Sequence, residues 1–391
     1  MNPIRPLVAL ALSIGAGAAC GGGDGSSPNV GETVWRTYSV ANMTSGEPAL
    51  ELVDIVRIGD LEQHDEVGFG EILGLELDEE GRAYVLDVQS ARVYIFEEDG
   101  TPAGAIGKPG EGPGEFRYPA GMAWGPDGHL WICDVGKSAY SLFLKNGDFV
   151  EQRSRRTGGP TIPWPGRFDD RGRLYDEGLS ENDPSPERVL LRFASDASNA
   201  TSDTFPLPQY QAQFVDLPAR PGLKAWLPYS RRLVWLVEPD GHLRFAFSDQ
   251  YQVFRREPDG DTTLVVSVDT DPRPVTGQER TAVIEEFRRY GASLAPDDVP
   301  PNQPVLDGFQ VDNQGRLWVG VVDNEVQRGR LRIDVFGAKG NHLGSLSSDL
   351  DLRFWPPPAI RGNRILAVAL GPGDVPMVVT GRVEGLTAFR P

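Results

Sequence analysis

ILGLELDEEGRAYVLDVQSARVYIFEEDGTPAGAIG, from Ile72 to Gly107, holds four short apolar or alternating runs separated by turn residues. Each run has strand length, and Asp, Glu and Gly punctuate them as hairpin turns do. The next stretch, PAGMAWGPDGHLWICDVGKSAYSLFLKNGDFVEQ from Pro119, repeats that grammar, with Gly81 and Gly128 at matching turn positions 47 residues apart. A period of this size signals a repeat architecture. The same turn recurs in DDRGRLYDEG around Gly172, EPDGHLRFAFSD around Gly241, DNQGRLWVGVVD around Gly315 and LGPGDVPMVVTG around Gly373, which makes six copies. Spacings of 69 and 74 residues in the middle place insertions in copies three to five. A four-stranded unit of this length cannot bury both faces alone, whereas six packed radially can, leaving only short edges. The expected fold is all-β: a six-bladed β-propeller of four-stranded antiparallel blades.

The final copy, from Arg364, shows three runs, ILAVAL, PMVVTG and LTAFR, and lacks a fourth. ALELVDIVRIG, Ala49 to Gly59, ends in Ile-Gly before a polar loop, as the fourth run of the first copy does. This N-terminal strand is expected to close the last blade.

Ahead of it stands MNPIRPLVALALSIGAGAAC, with one positive charge at Arg5, an apolar run from Leu7 to Ile14 and small residues before Cys20. That is the anatomy of a secretory signal. The run is far shorter than the roughly 20 residues of a membrane-spanning helix. Gly17, Ala18, Ala19 and Cys20 resemble a bacterial lipobox, although Gly17 stands where a larger aliphatic is usual. The resemblance implies a lipoprotein acylated at Cys20. The reading is therefore residues 1–20 as signal peptide, 21–48 as flexible tether and lead-in, and 49–391 as propeller. With Cys20 lipidated, Cys133 has no disulfide partner, and its place in the apolar run LWICDV reads as a buried inert thiol.

A net charge of −18 argues against nucleic acid, which needs a basic footprint. Forty-six glycines and 33 prolines suit a turn-rich β protein.

From Gly107 to Phe143, GKPGEGPGEFRYPAGMAWGPDGHLWICDVGKSAYSLF resembles an NHL repeat, through Gly114, Phe116, Pro119, Asp127, Gly128 and Asp134. The later copies keep only the turn and strands. The resemblance implies a scaffold, since propellers host both binding modules and enzymes.

No catalytic constellation stands out. GKPGEGPGE lacks the Lys-Ser/Thr of a phosphate loop. His129 and His242 follow equivalent PDG turns on different copies, and with His64 and His342 they are too scattered for one metal. This disfavours the histidine-dependent propeller lyases. Gluconolactonase-like propellers hold calcium in the axial channel through carboxylates, so calcium stays open as a cofactor, none being otherwise implied. Asp87, Asp134 and Asp249 recur at second-strand ends and read as structural groups that secure neighbouring loops.

TGQERTAVIEEFRRYGASLAPDD, Thr276 to Asp298, places Ala282, Val283, Phe287 and Tyr290 at helical spacing with Gly291 as a stop. The spacing predicts one amphipathic helix over about 276–291, packed on the face of the inter-blade loops. The same face should receive Arg117, Tyr118, Trp164, Trp226, Tyr229, Arg231, Arg353 and Trp355, together with Tyr210, Phe214 and Phe354. Aromatics and arginines dominate binding hot spots. The leading expectation is a monomeric cell-envelope binding or scaffold lipoprotein engaging a protein, peptide or glycan there. The rivals are a calcium-dependent hydrolase or lyase and a structural module without a specific ligand.

Overall fold

Five first-strand hairpins close on the same backbone bond. Asp78, Gly125, Asp169, Glu238 and Asp312 each donate N–H to the carbonyl four residues on, at 2.8–3.1 Å. Gly81, Gly128, Gly172, Gly241 and Gly315 sit inside these hairpins with φ between 74° and 93°, a region costly to any residue with a Cβ. The computed structural model describes residues 37–39, 49–59, 68–157, 162–180, 187–194, 201–210, 212–221, 224–257, 260–322 and 331–386. Cys20 and the signal segment lie outside these residues.

Two strands precede the ring, β1 (Thr37–Ser39) and β2 (Ala49–Ile58). Blade 1 comprises β3 (Ile72–Leu77), β4 (Ala83–Asp87), β5 (Arg92–Phe96) and β6 (Pro102–Ile106). Blade 2 comprises β7 (Pro119–Trp124), β8 (Leu130–Asp134), β9 (Ala139–Phe143) and β10 (Phe149–Ser154). Blade 3 comprises β11 (Arg167–Phe168), β12 (Leu174–Leu179), β13 (Arg188–Phe193) and β14 (Thr201–Pro206), and an inserted hairpin, β15 (Phe214–Asp216) and β16 (Lys224–Trp226), follows it. Blade 4 comprises β17 (Leu233–Val237), β18 (Leu243–Phe247), β19 (Gln252–Arg256) and β20 (Thr262–Asp269). Helix α1 (Gly277–Arg289) leads to blade 5, with β21 (Leu306–Val311), β22 (Leu317–Val322), β23 (Leu331–Phe336) and β24 (His342–Ser347). Blade 6 is built from β25 (Asp351–Arg353) and β26 (Ala359–Arg361), which share β27 (Arg364–Leu370), then β28 (Pro376–Glu384) and finally β2. The innermost strands touch in a closed cycle, β3 to β7, β11, β17, β21, β26 and back to β3. The chain is thus a six-bladed β-propeller.

The expected closure is observed: β2 runs antiparallel to β28, from Glu51 opposite Glu384 to Ile58 opposite Val378. Its first residues also pair in parallel with β24, joining blades 5 and 6 into one sheet. Inside the stretch read as lead-in, β1 pairs in parallel with β20 as a fifth strand of blade 4.

The sixth copy departs from the sequence reading by one strand. The hairpin equivalent to those above is at Gly362, between β26 and β27: Gly362 N–H donates to Asn313 of the blade 5 hairpin at 2.8 Å, and Arg316 donates to its carbonyl. Gly373 turns at the opposite face, between β27 and β28. The inner strand was illegible because FWPPP, Phe354 to Pro358, splits it into two three-residue pieces. Of LTAFR, residues 387–391 lie outside the described residues.

Aromatic wedges pack between blades. Trp164 lies on Gly121 of blade 2, where a Cβ would approach its backbone oxygen to 2.8 Å, and Phe354 lies on Gly320 of blade 5, where a Cβ would meet its ring at 2.6 Å. Dispersion contacts of this closeness need a glycine beneath.

Helix α1 begins with a capping box: Thr276 Oγ1 accepts the Glu279 N–H at 3.2 Å, while the Glu279 carboxylate accepts the Thr276 N–H at 2.9 Å. Gly291, at φ 81°, ends it. Val283 and Phe287 bury against Leu217, Ala225 and Leu227 of the inserted hairpin segment, so the helix and hairpin form a small lobe with its own core.

Candidate functional site

The two faces of the ring differ in chemistry. On the face of the first-strand hairpins, Asp78, Asp169 and Asp312 act alike. Asp312 accepts the Arg316 N–H at 2.9 Å, Arg316 Nε at 2.6 Å and the Trp318 indole N–H at 2.9 Å. Asp78 binds Arg82 and the Tyr84 hydroxyl, and Asp169 binds Arg173 and the Tyr175 hydroxyl, in the same pattern. The motif Asp-x-x-Gly-Arg-x-Tyr/Trp stands in three copies of the sequence, a signal that the turn glycine alone does not carry. It is a turn lock.

In blade 4, Glu238, Asp240 and His242 bring ligand atoms within 4.8 Å of one another, so this is a group that could hold a metal ion. Two arginines occupy it. Arg244 Nε donates to Glu238 at 2.6 Å, Arg255 Nε to Glu238 at 2.5 Å, and Arg255 also reaches Asp240 and His242. Arg255 also bonds Glu257 at 3.2 Å, and His242 contacts that same carboxylate, so the cluster is an ion-pair network.

The opposite face carries the inter-blade loops. Asp87 Oδ1 accepts the Glu71 N–H at 2.9 Å, and Asp134 accepts the N–H groups of Arg117 at 2.7 Å and Tyr118 at 3.0 Å, so both are structural as read. In blade 4 the equivalent group is Ser248, which accepts the Arg232 N–H at 2.9 Å. Asp249, taken from the sequence as the third member of that set, instead pairs with Arg231 at 3.2 Å.

The residues read as a binding face do not form one cluster. Trp164, 5% exposed, is an inter-blade wedge and presents no ring to solvent. Trp226 packs edge-on to Phe214 at 5.0 Å and near Tyr210 at 6.2 Å on the inserted hairpin. Arg231 lies over the Phe247 ring at 4.0 Å, and Phe247, itself buried, is 6.3 Å from Tyr210, so the ring contacts run from the hairpin into the blade 4 core. Phe214, at 41% exposed, is the most exposed of these rings. Tyr229 belongs to the helix lobe; burial, then the Glu279 carboxylate, pushes its hydroxyl up to about 12. Trp355, 42% exposed, and Arg353, bonded to Asp351 at 2.9 Å, stand on blade 6. Arg117 is exposed on blade 2, and beside it burial, with the Glu71 charge, raises the Tyr118 hydroxyl.

The axial channel holds acidic groups met by bases. Asp307 takes Arg232 at 2.9 Å near the loop end. Glu76 of β3 lies at the hairpin end, where burial pushes its carboxyl up to about 7 against the pull of Arg167 and Arg361. Across the same end, Arg167 of β11 donates to Gln310 of β21 at 2.8 Å. Glu76, Arg167 and Gln310 form no sequence motif, because the equivalent positions of the other copies hold Ala123 and Leu236.

The architecture defines the class, a six-bladed β-propeller. The DUF5128 family, described as a 6-bladed beta-propeller, matches residues 41–153. Among solved structures, the chain is similar to a candidate exported protein of Bacteroides fragilis at 10% identity and TM-score 0.53, over 89% of this chain and 98% of that one. A DUF4221 family member from Bacteroides vulgatus aligns at 10% identity and TM-score 0.52, over 87% and 99%. A calcium-binding protein, regucalcin, from Agrobacterium tumefaciens aligns at 13% identity over 82% and 93%, with a TM-score of 0.45. At these identities the likeness is one of fold. No match is found among curated proteins.

Proposed function

We propose that this chain is a non-enzymatic binding module of the bacterial cell envelope, of NHL-like repeat type, exported and held at a membrane by lipid on Cys20. Among the described residues no helix is long and apolar enough to cross a membrane, so attachment rests on that N-terminal cysteine. The partner is a protein, peptide or glycan taken on the loop face. The observation that carries this reading is the aromatic pair Phe214 and Trp226 on an inserted hairpin braced by its own helix, flanked by Tyr210 and by Arg231, which lies over the buried Phe247 ring. A propeller does not need that lobe to close, and rigid aromatics beside arginine are what interface hot spots use.

Peptide and glycan arrays probed with the full chain and with a Phe214→Ala, Trp226→Ala variant test the reading. Loss of about tenfold or more in affinity for whatever binds the parent is expected, which is the cost of removing a hot spot. Identical profiles would sink the binding face and leave the structural-module reading.

A further inference from the structure

The innermost strands place five residues equivalently, two positions before each hairpin donor: Glu76, Ala123, Arg167, Leu236 and Gln310 in blades 1 to 5. Two of these meet across the axis, where Arg167 of blade 3 donates to the Gln310 side-chain carbonyl of blade 5 at 2.8 Å. Glu76 of blade 1 is close enough to feel both Arg167 and Arg361, which arrives from blade 6. Four blades thus converge on one end of the channel. Arg361 is already engaged, by Glu79 at 3.3 Å.

The remaining groups are unmatched. Among the described residues, the Glu76 carboxylate accepts no hydrogen bond and has no basic nitrogen at ion-pair distance. Among the described residues the Arg167 guanidinium has no carboxylate at ion-pair distance, and it donates to the Gln310 side-chain carbonyl. Glu76 and Arg167 are each partly exposed. An enclosed charge without a partner is costly, and two opposite charges that face each other without touching are complementary to a dipolar guest.

The geometry points to a second site at this end of the channel for a small zwitterion, its carboxylate on the Arg167 guanidinium and Gln310 amide and its ammonium on Glu76. A free α-amino acid is the simplest such ligand. Arg–carboxylate pairing supplies the charge-assisted hydrogen bonds, and Gln310 fixes the Arg167 plane. The site lies on the face opposite the aromatic patch and stands whether or not that patch binds anything.

Calorimetry of the full chain with a panel of α-amino acids, with acetate and methylamine as single-charge controls, tests it. An amino acid is expected to bind about tenfold or more tightly than either control. Glu76→Gln and Arg167→Met should each weaken it by a similar factor, while Trp355→Ala leaves it unchanged. Binding should also release protons near neutral pH, because an ammonium beside Glu76, faced otherwise by Arg167 and Arg361, draws its carboxyl toward ionisation. Gln310→Leu, apolar and of similar size, provides a second variant if either charge replacement fails to fold. No heat with any amino acid, acetate binding equally well, or affinity surviving in the variants would overturn the site.

Discussion

At Asp312 one buried carboxylate satisfies two backbone N–H groups, a guanidinium and an indole, and its removal leaves the Arg316 guanidinium with the Gly362 carbonyl. Breaking a buried pair by deleting one partner costs about 3–5 kcal/mol. Asp312→Ala should therefore lower stability by about that much in urea unfolding, whereas Asp127→Ala, at an exposed turn, should stay within about 0.5 kcal/mol. Glu76 behaves oppositely. Its carboxyl is raised from 4.5 to about 7, so the folded chain holds a proton that the unfolded chain releases. The resulting penalty is absent below about pH 4.5, grows as pH rises to about 7, and is constant above, reaching at most about 3 kcal/mol. Glu76→Gln should raise stability above pH 7 and flatten the slope between those limits. An unchanged slope would mean that the carboxyl is not enclosed by the channel.

Blade 6 shows what an element can hide. Its outer strand, β2, was legible because ALELVDIVRIG ends in Ile-Gly as the first copy's fourth run does and the last copy lacked a fourth run, whereas its inner strand is two three-residue fragments around FWPPP, too short for periodicity to register. The helix was legible to within a few residues because Thr276, the Val283 and Phe287 stripe and Gly291 encode start, face and stop. Removing residues 1–59 should expose the β28 edge and the sites of Leu50 and Ile58, both buried. At about 1.5–3 kcal/mol for each side chain plus lost strand pairing, a fall of about 5 kcal/mol is expected, with self-association through the open edge. A truncated chain that melts as the parent does and remains monomeric would refute the closure. Thr276→Ala is a milder test. It should cost about 1 kcal/mol and raise amide exchange over the first turn of α1 and its contacts with the hairpin.

For the whole molecule, the ring could be read from the turn period, but the site could not, because blades far apart in sequence meet only at the axis. Arg167 and Gln310 are 143 residues apart and carry no shared motif. The same distance hid how the channel's acids are balanced, and that bears on the calcium rival. A hard cation of this kind takes about 6–8 oxygen ligands and prefers several carboxylates. Here Asp307 is bonded to Arg232, Glu76 is faced by Arg167 and Arg361, and the acidic cluster of blade 4 is threaded by Arg244 and Arg255. A cation would have to displace a guanidinium at Asp307 and in the blade 4 cluster, and at Glu76 it would be opposed by the charges of Arg167 and Arg361. With a net charge of −18, any salt should raise the melting temperature by screening self-repulsion, so the informative comparison is calcium against magnesium at equal ionic strength. A binding module should melt within about 1 °C in the two salts, and chelator should change nothing. Because a site-bound ion stabilises by RT ln(1 + [L]/Kd), a micromolar calcium site in millimolar calcium would add about 4 kcal/mol and a shift of several degrees. Such a calcium-specific shift would turn the reading from a binding module toward a metal-dependent enzyme.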